Sequence, residues 1–177
     1  MGNWKNLEMS NILLSFIAGN DPGENNNGPL LSILDKLNED FTIGKIVLFY
    51  KPGSFFLDGS HIDSKISEIK TVLEMRSYRE NDETLKLVDF EDIDPSEEQS
   101  ILPALISWIE TSAHNEDNHF INVASGTPAM RSVFTFLADA NLLKNANLWY
   151  SARPSQKDPN VERVWWSCLS RQPGAVF

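Results

Sequence analysis

Three short polar turns carry the residues best suited to chemistry. Gly19-Asn20-Asp21-Pro22, with Gly28-Pro29 soon after, follows one apolar run; Lys51-Pro52-Gly53 follows a second; Ser125-Gly126-Thr127-Pro128 follows a third. Each combines small residues, whose backbone a ligand can approach closely, with hydroxyls, amides or a cation. Such turns suit an anion, because the unpaired N–H groups that open a helix, backed by its dipole, hold phosphate with few cationic side chains. The third turn is the sharpest. Gly126 admits a close approach, Ser125 and Thr127 offer hydroxyls, and a helix opens at Pro128 or Ala129. Taken alone, a plain helix cap at Thr127, with Gly126 only permitting the turn, explains these residues somewhat better. Two further polar turns tilt the balance towards a site, provided that they share one end of a sheet with it.

Other chemistries find little support. No Gly-x-Gly-x-x-Gly follows the first apolar run and no Gly-x-x-x-x-Gly-Lys-Ser/Thr occurs, so the usual dinucleotide and P-loop sites are not indicated. His61, His114 and His119 show no metal-ligand spacing with Cys168, and the three read as surface histidines. Neither a metal nor a cofactor is expected. Glu91-Asp92-Ile93-Asp94 reads as a solvated loop and helix cap, and Ser15 lacks the Gly-x-Ser-x-Gly elbow of a hydrolase nucleophile.

The elements that must position these turns alternate along the chain. Ile12–Ala18 is a buried first strand, and Leu30, Leu31, Ile33, Leu34 and Leu37 give the helix opened by Pro29 one apolar face. Lys45–Tyr50 is a second strand, followed by a helical pattern from Ser60 to about Arg79. Leu85–Phe90 is a third strand. Asp94-Pro95 predicts a helix start, with Asp94 as cap, running to about His114. Phe120–Ala124 is the fourth strand, and a helix from Pro128 to about Leu143 buries Met130, Val133, Phe134, Leu137 and Ala138. Leu148–Ser151 and Val161–Cys168 are the last strands, joined by a polar loop too short for a helical crossover and therefore antiparallel. Successive βα units predict an α/β fold: a Rossmann-like three-layer domain with a mostly parallel sheet of about six strands and a C-terminal antiparallel pair, spanning residues 1–177.

Composition narrows the partners. The 177 residues, 41% hydrophobic with ten Phe and five Trp, supply an ample core, and a formal charge of −10 argues against coating duplex nucleic acid. One cysteine excludes an internal disulfide and fits a reducing cytoplasm. Neither a signal peptide nor an apolar stretch of about 20 residues is visible, so no membrane contact is expected from this segment.

Strand one running into Gly19-Asn20-Asp21-Pro22 and then Gly28-Pro29-Leu30-Leu31 resembles the N-terminal segment of CARF domains, the CRISPR-associated Rossmann-fold sensors. His119-Phe120-Ile121-Asn122-Val123-Ala124-Ser125-Gly126-Thr127-Pro128-Ala129-Met130 is similar to their strand, small-Gly-Thr, x, x, Met motif. The resemblance spans nearly the whole chain. It implies a cyclic oligoadenylate second messenger, made when a type III CRISPR complex detects foreign RNA, with cyclic tetra-adenylate the favoured ring. It also implies a homodimer, the ring lying across the two-fold axis between paired Gly-Thr turns. Carried over, Gly19, Asn20 and Asp21 of the first turn and Ser125, Gly126, Thr127 and Met130 of the third line the pocket. Lys51 and Arg153, each just past a strand end, are assigned as phosphate partners by position. Sensors of this kind regulate an attached or partner effector, and none is visible in the sequence. Two alternatives stay open: a stand-alone ring nuclease that uses the messenger's own 2′-hydroxyl as nucleophile, and an unrelated Rossmann-like nucleotide-binding enzyme.

Overall fold

Near-continuous apolar runs are buried on both faces, which is the pattern of a parallel strand covered by helices. The computed structural model describes residues 9–151 and 165–169, and shows this arrangement. Strands β1 (Asn11–Phe16), β2 (Lys45–Tyr50), β3 (Leu85–Asp89), β4 (Asn118–Asn122) and β5 (Ala146–Ser151) are all parallel, and β6 (Trp165–Leu169) runs antiparallel to β5. Their order in the sheet is β3-β2-β1-β4-β5-β6, so the chain reverses its direction of travel across the sheet between β1 and β4. In sheets of this kind ligands bind outside the carboxyl ends of the strands, at that reversal.

Helices α1 (Pro29–Asp40) and α2 (Ile62–Met75) cover one face, meeting Leu13, Ile46, Leu48 and Phe120. Helices α3 (Glu98–Ser112) and α4 (Pro128–Asp139) cover the other, where Phe16 packs 5.1 Å from Phe134 and Phe49 lies edge-on to Trp108 at 5.0 Å. Every apolar position expected on α1 is buried, as are Met130, Val133, Phe134, Leu137 and Ala138 of α4. Among the described residues no helix is long and apolar enough to cross a membrane.

Three local expectations are corrected. Asp94 does not cap α3. Its carboxylate accepts from the Ser96 amide at 2.8 Å and from the Ser96 hydroxyl, which closes a separate turn, and the helix begins only at Glu98. The helix expected to reach Arg79 ends at Met75, because Ser77 adopts a φ of +70°. His119 is not a surface residue. It lies within β4, which begins two residues earlier than expected, is fully buried, and has its Nδ1 2.8 Å from the Lys144 carbonyl oxygen. Burial depresses its basicity, since a charged ring there would lose its hydration. Arg153 and the polar loop 154–160 lie outside the described residues.

Candidate ligand-binding site

The first and third turns meet at the carboxyl end of the sheet through a chain of buried polar groups. Ser15 and Asn122 sit opposite each other in the β1–β4 register, both facing the α1 side. The Asn122 side-chain amide donates to the Ser15 hydroxyl at 3.0 Å and to the Ser125 hydroxyl at 2.9 Å, while its Oδ1 accepts from the Ala124 amide at 2.9 Å. The Ser125 hydroxyl in turn donates to Asp21 Oδ2 at 3.1 Å. Asp21 also accepts from the amides of Ala18 (3.3 Å) and Leu30 (3.0 Å), the second of these in the first turn of α1. Gly28, at the cap position of α1, has no side chain to offer, so Asp21 performs the capping from outside the helix.

Asp21 and Ser125 are therefore tie residues. Both are buried, at 0% and 2% exposure, and both point into the junction beneath the turns. Burial is the largest influence on the Asp21 carboxyl and pushes it up to about 6; the Leu30 and Ala18 amides and the Ser125 hydroxyl work against that rise.

Gly126 sits above this junction with a φ of +88°, a conformation that glycine adopts freely. A Cβ there would lie 3.0 Å from Met130 Sδ and 3.2 Å from Phe16 Cβ. Thr127 caps α4: its hydroxyl accepts from the Met130 amide at 3.2 Å and donates to the Pro95 carbonyl. The Thr127 amide in turn reaches Met130 Sδ at 3.4 Å. The plain helix-cap role is thus present, and the same hydroxyl pins the β3–α3 connection to the α4 start.

A cleft of about 730 Å³ opens over these turns. Gly19, Asn20, Lys51, Gly126, Thr127 and Met130 line it, bringing together six of the nine residues singled out from the sequence. Among the described residues, the backbone N–H groups of Gly19, Asn20 and Gly126 donate to no protein acceptor. Lys51 Nζ donates to the Ile93 carbonyl at 2.5 Å, which holds the cation at the cleft wall. The cleft can thus present open amides and one cation to an anion, over a largely apolar surface.

Two parts of the site were not singled out from the sequence. Asn122 is the hub of the polar chain, and its signal was a polar residue at the end of an otherwise apolar strand. Phe55, Phe56 and Leu57 form a lip beside the cleft, and their signal was three large apolar residues inside a turn-rich segment.

No family model matches this sequence, and no curated protein matches it. Among solved structures the chain is similar to Enterococcus italicus Csm6 bound to cyclic hexa-2′-fluoro-hexa-dAMP. The match has a TM-score of 0.65 and 19% sequence identity, and covers 84% of this chain and 35% of that one. The fold is CARF-like. The chain spans about a third of the length of Csm6, and what the two share is the arrangement of strands and helices. In this CARF-like fold the reversal between β1 and β4 is where the two turns are laced together.

Proposed function

We propose that this chain is a sensor domain that binds a cyclic oligoadenylate, with cyclic tetra-adenylate favoured, at the interface of a homodimer. In this reading it acts in the cytoplasm, in type III CRISPR antiviral signalling, and regulates an attached or partner effector. The observation that carries the reading is the hydrogen-bonded junction of the two turns, which brings the open amides of Gly19, Asn20 and Gly126 into one cleft. Such a seat holds phosphates through neutral donors, so a protein of net charge −10 can bind a small RNA without a basic surface. The likeness to Csm6, whose solved structure holds a cyclic hexanucleotide analogue, supports the ligand class. An isologous dimer would double every donor and so match a ligand that has its own two-fold symmetry.

The test is calorimetry of the full chain with cyclic tri-, tetra- and hexa-adenylate, with mass measured alongside. One ring per two chains is expected. Heat with a mononucleotide but none with any ring would overturn the reading in favour of an unrelated nucleotide-binding enzyme. Linear products after incubation with the ring would replace the sensor by a ring nuclease.

A further inference from the structure

The segment between β2 and α2 is held more firmly than its position in a connecting loop requires. The Phe56 amide donates to the Ser60 carbonyl at 2.9 Å, the Gly59 amide to the Phe56 carbonyl at 2.9 Å, and the Ile62 amide to the Ser54 carbonyl at 2.9 Å. Phe55 and His61 form an antiparallel bridge, with their rings edge to face at 4.7 Å. Asp58 accepts from the Ser60 amide at 2.9 Å, and Gly59 supplies the positive φ, +81°, on which the turn closes.

Phe56 points inward, where its ring lies so close to the first turn that a Cβ at Gly19 would be only 3.0 Å from it. Phe55 is held by its bridge to His61, and Leu57 opens the turn that the Gly59 amide closes on the Phe56 carbonyl. Phe55 is 72% exposed and Leu57 wholly so, and both line the cleft that holds the Gly126 and Asn20 amides. Two large apolar side chains held rigidly in water beside an anion seat form a surface with a purpose.

We propose that Phe55 and Leu57 are the base-reading lip of the cleft, stacking against an adenine of the ligand whose phosphates sit on the amides. The inference rests on the cyclic oligoadenylate reading and extends it to the ligand's bases. Only a ligand that carries both an anionic group and a flat apolar ring uses the two halves of this surface together. Base stacking on aromatic side chains supplies that affinity whatever the base's hydrogen-bonding edge. A lipid surface fits less well, since the exposed Asp58 stands at the loop tip next to Leu57 and the whole chain is acidic.

The experiment compares the full chain with Phe55→Ala, Leu57→Ser and Phe55→Trp by calorimetry, using whichever of the cyclic tri-, tetra- and hexa-adenylates the parent binds and the same ring with its bases removed. Both truncated side chains are exposed, so the variants should fold, which circular dichroism checks. Phe55→Ala is expected to weaken binding of the intact ring by about tenfold to a hundredfold, in the range of one lost base stack. Leu57→Ser should weaken it less, and Phe55→Trp should preserve it. The base-free ring should bind the parent and Phe55→Ala equally. Unchanged affinity of Phe55→Ala for the intact ring overturns the lip while leaving the proposed function standing. Loss of the dimer in Phe55→Ala without ligand also overturns it, by assigning the loop to a protein interface. A parent that binds no ring removes the proposed function, and this inference with it.

Discussion

At the residue scale, Asp21 has the most to reveal, because a buried carboxylate is costly unless donors surround it. Three donors do so here, yet its carboxyl still titrates at about 6 against 3.8 for an unburied one. The folded state therefore binds the proton more tightly than the unfolded chain does, and stability should fall as pH rises from about 4 to about 6, then level off. A difference of that size corresponds to about 3 kcal/mol. Asp21→Asn, neutral at every pH, should abolish this slope in urea melts taken across the window; a slope identical to the parent's would show that another group titrates. Asp21→Ala should fare worse than Asn at neutral pH, by about 1–3 kcal/mol, because it strands the Ala18 and Leu30 amides. Gly126 is limited by shape. Gly126→Ala places a side chain in the left-handed region at a cost of about 1–2 kcal/mol, and against Phe16 Cβ, which cannot swing away as the Met130 thioether can. The corresponding fall in the urea midpoint is the measurement.

At the scale of elements, the site depends on how helices start. Each of the two helices that open at the cleft begins with Pro, whose missing N–H loses nothing at that position, and each has a capping group that also binds a distant segment. Asp21 caps α1 and holds β4's turn; Thr127 caps α4 and holds the residues before α3 through the Pro95 carbonyl. Losing the Thr127 hydroxyl should accordingly cost more than an ordinary cap. Thr127→Val is expected to destabilise by about 2 kcal/mol, the upper end of the range for caps, whereas Thr127→Ser should stay within a few tenths. Equal stability of the Val and Ser variants in chemical denaturation would show that the hydroxyl is dispensable. Lys51 plays a comparable part at the end of β2, joining it to the loop after β3.

For the whole molecule, the acidic balance sets the response to salt. A protein that met phosphates with many lysines and arginines would lose about a thousandfold or more in affinity between 50 and 200 mM salt. Here the proposed donors are mainly neutral amides, with Lys51 beside them, on a chain with 25 acidic and 15 basic residues, so the main long-range force on an anionic ring is repulsion. Salt screens repulsion. Affinity for the ring should therefore hold steady or rise over that interval, as calorimetry at the two salt concentrations would show; a steep fall would mean that cationic side chains carry the binding.

Much of this architecture was legible from local chemistry. Apolar runs of strand length, a Pro at the start of two helices and the face formed by Leu30, Leu31, Ile33, Leu34 and Leu37 are all short-range patterns, and short-range patterns are what a sequence displays. The boundaries that slipped did so where a competing local bond won, as when the Asp94 carboxylate turned to Ser96 instead of capping α3. Burial is another matter, because it depends on which segments the chain brings over a residue from far away. His119 looked like a surface histidine, and Asp21 and Ser125 like cleft residues, until the order β3-β2-β1-β4-β5-β6 set β4 beside β1. Strand adjacency brings Ser15 and Asn122, 107 positions apart in sequence, within 3.0 Å, and turns four polar side chains into the tie beneath the cleft. The residue types by themselves determined that amides and hydroxyls would gather at strand ends. Only the tertiary structure decided which of them face the cleft and which are spent holding it together, since a hydrogen bond takes up a group's capacity wherever the fold supplies a nearer partner.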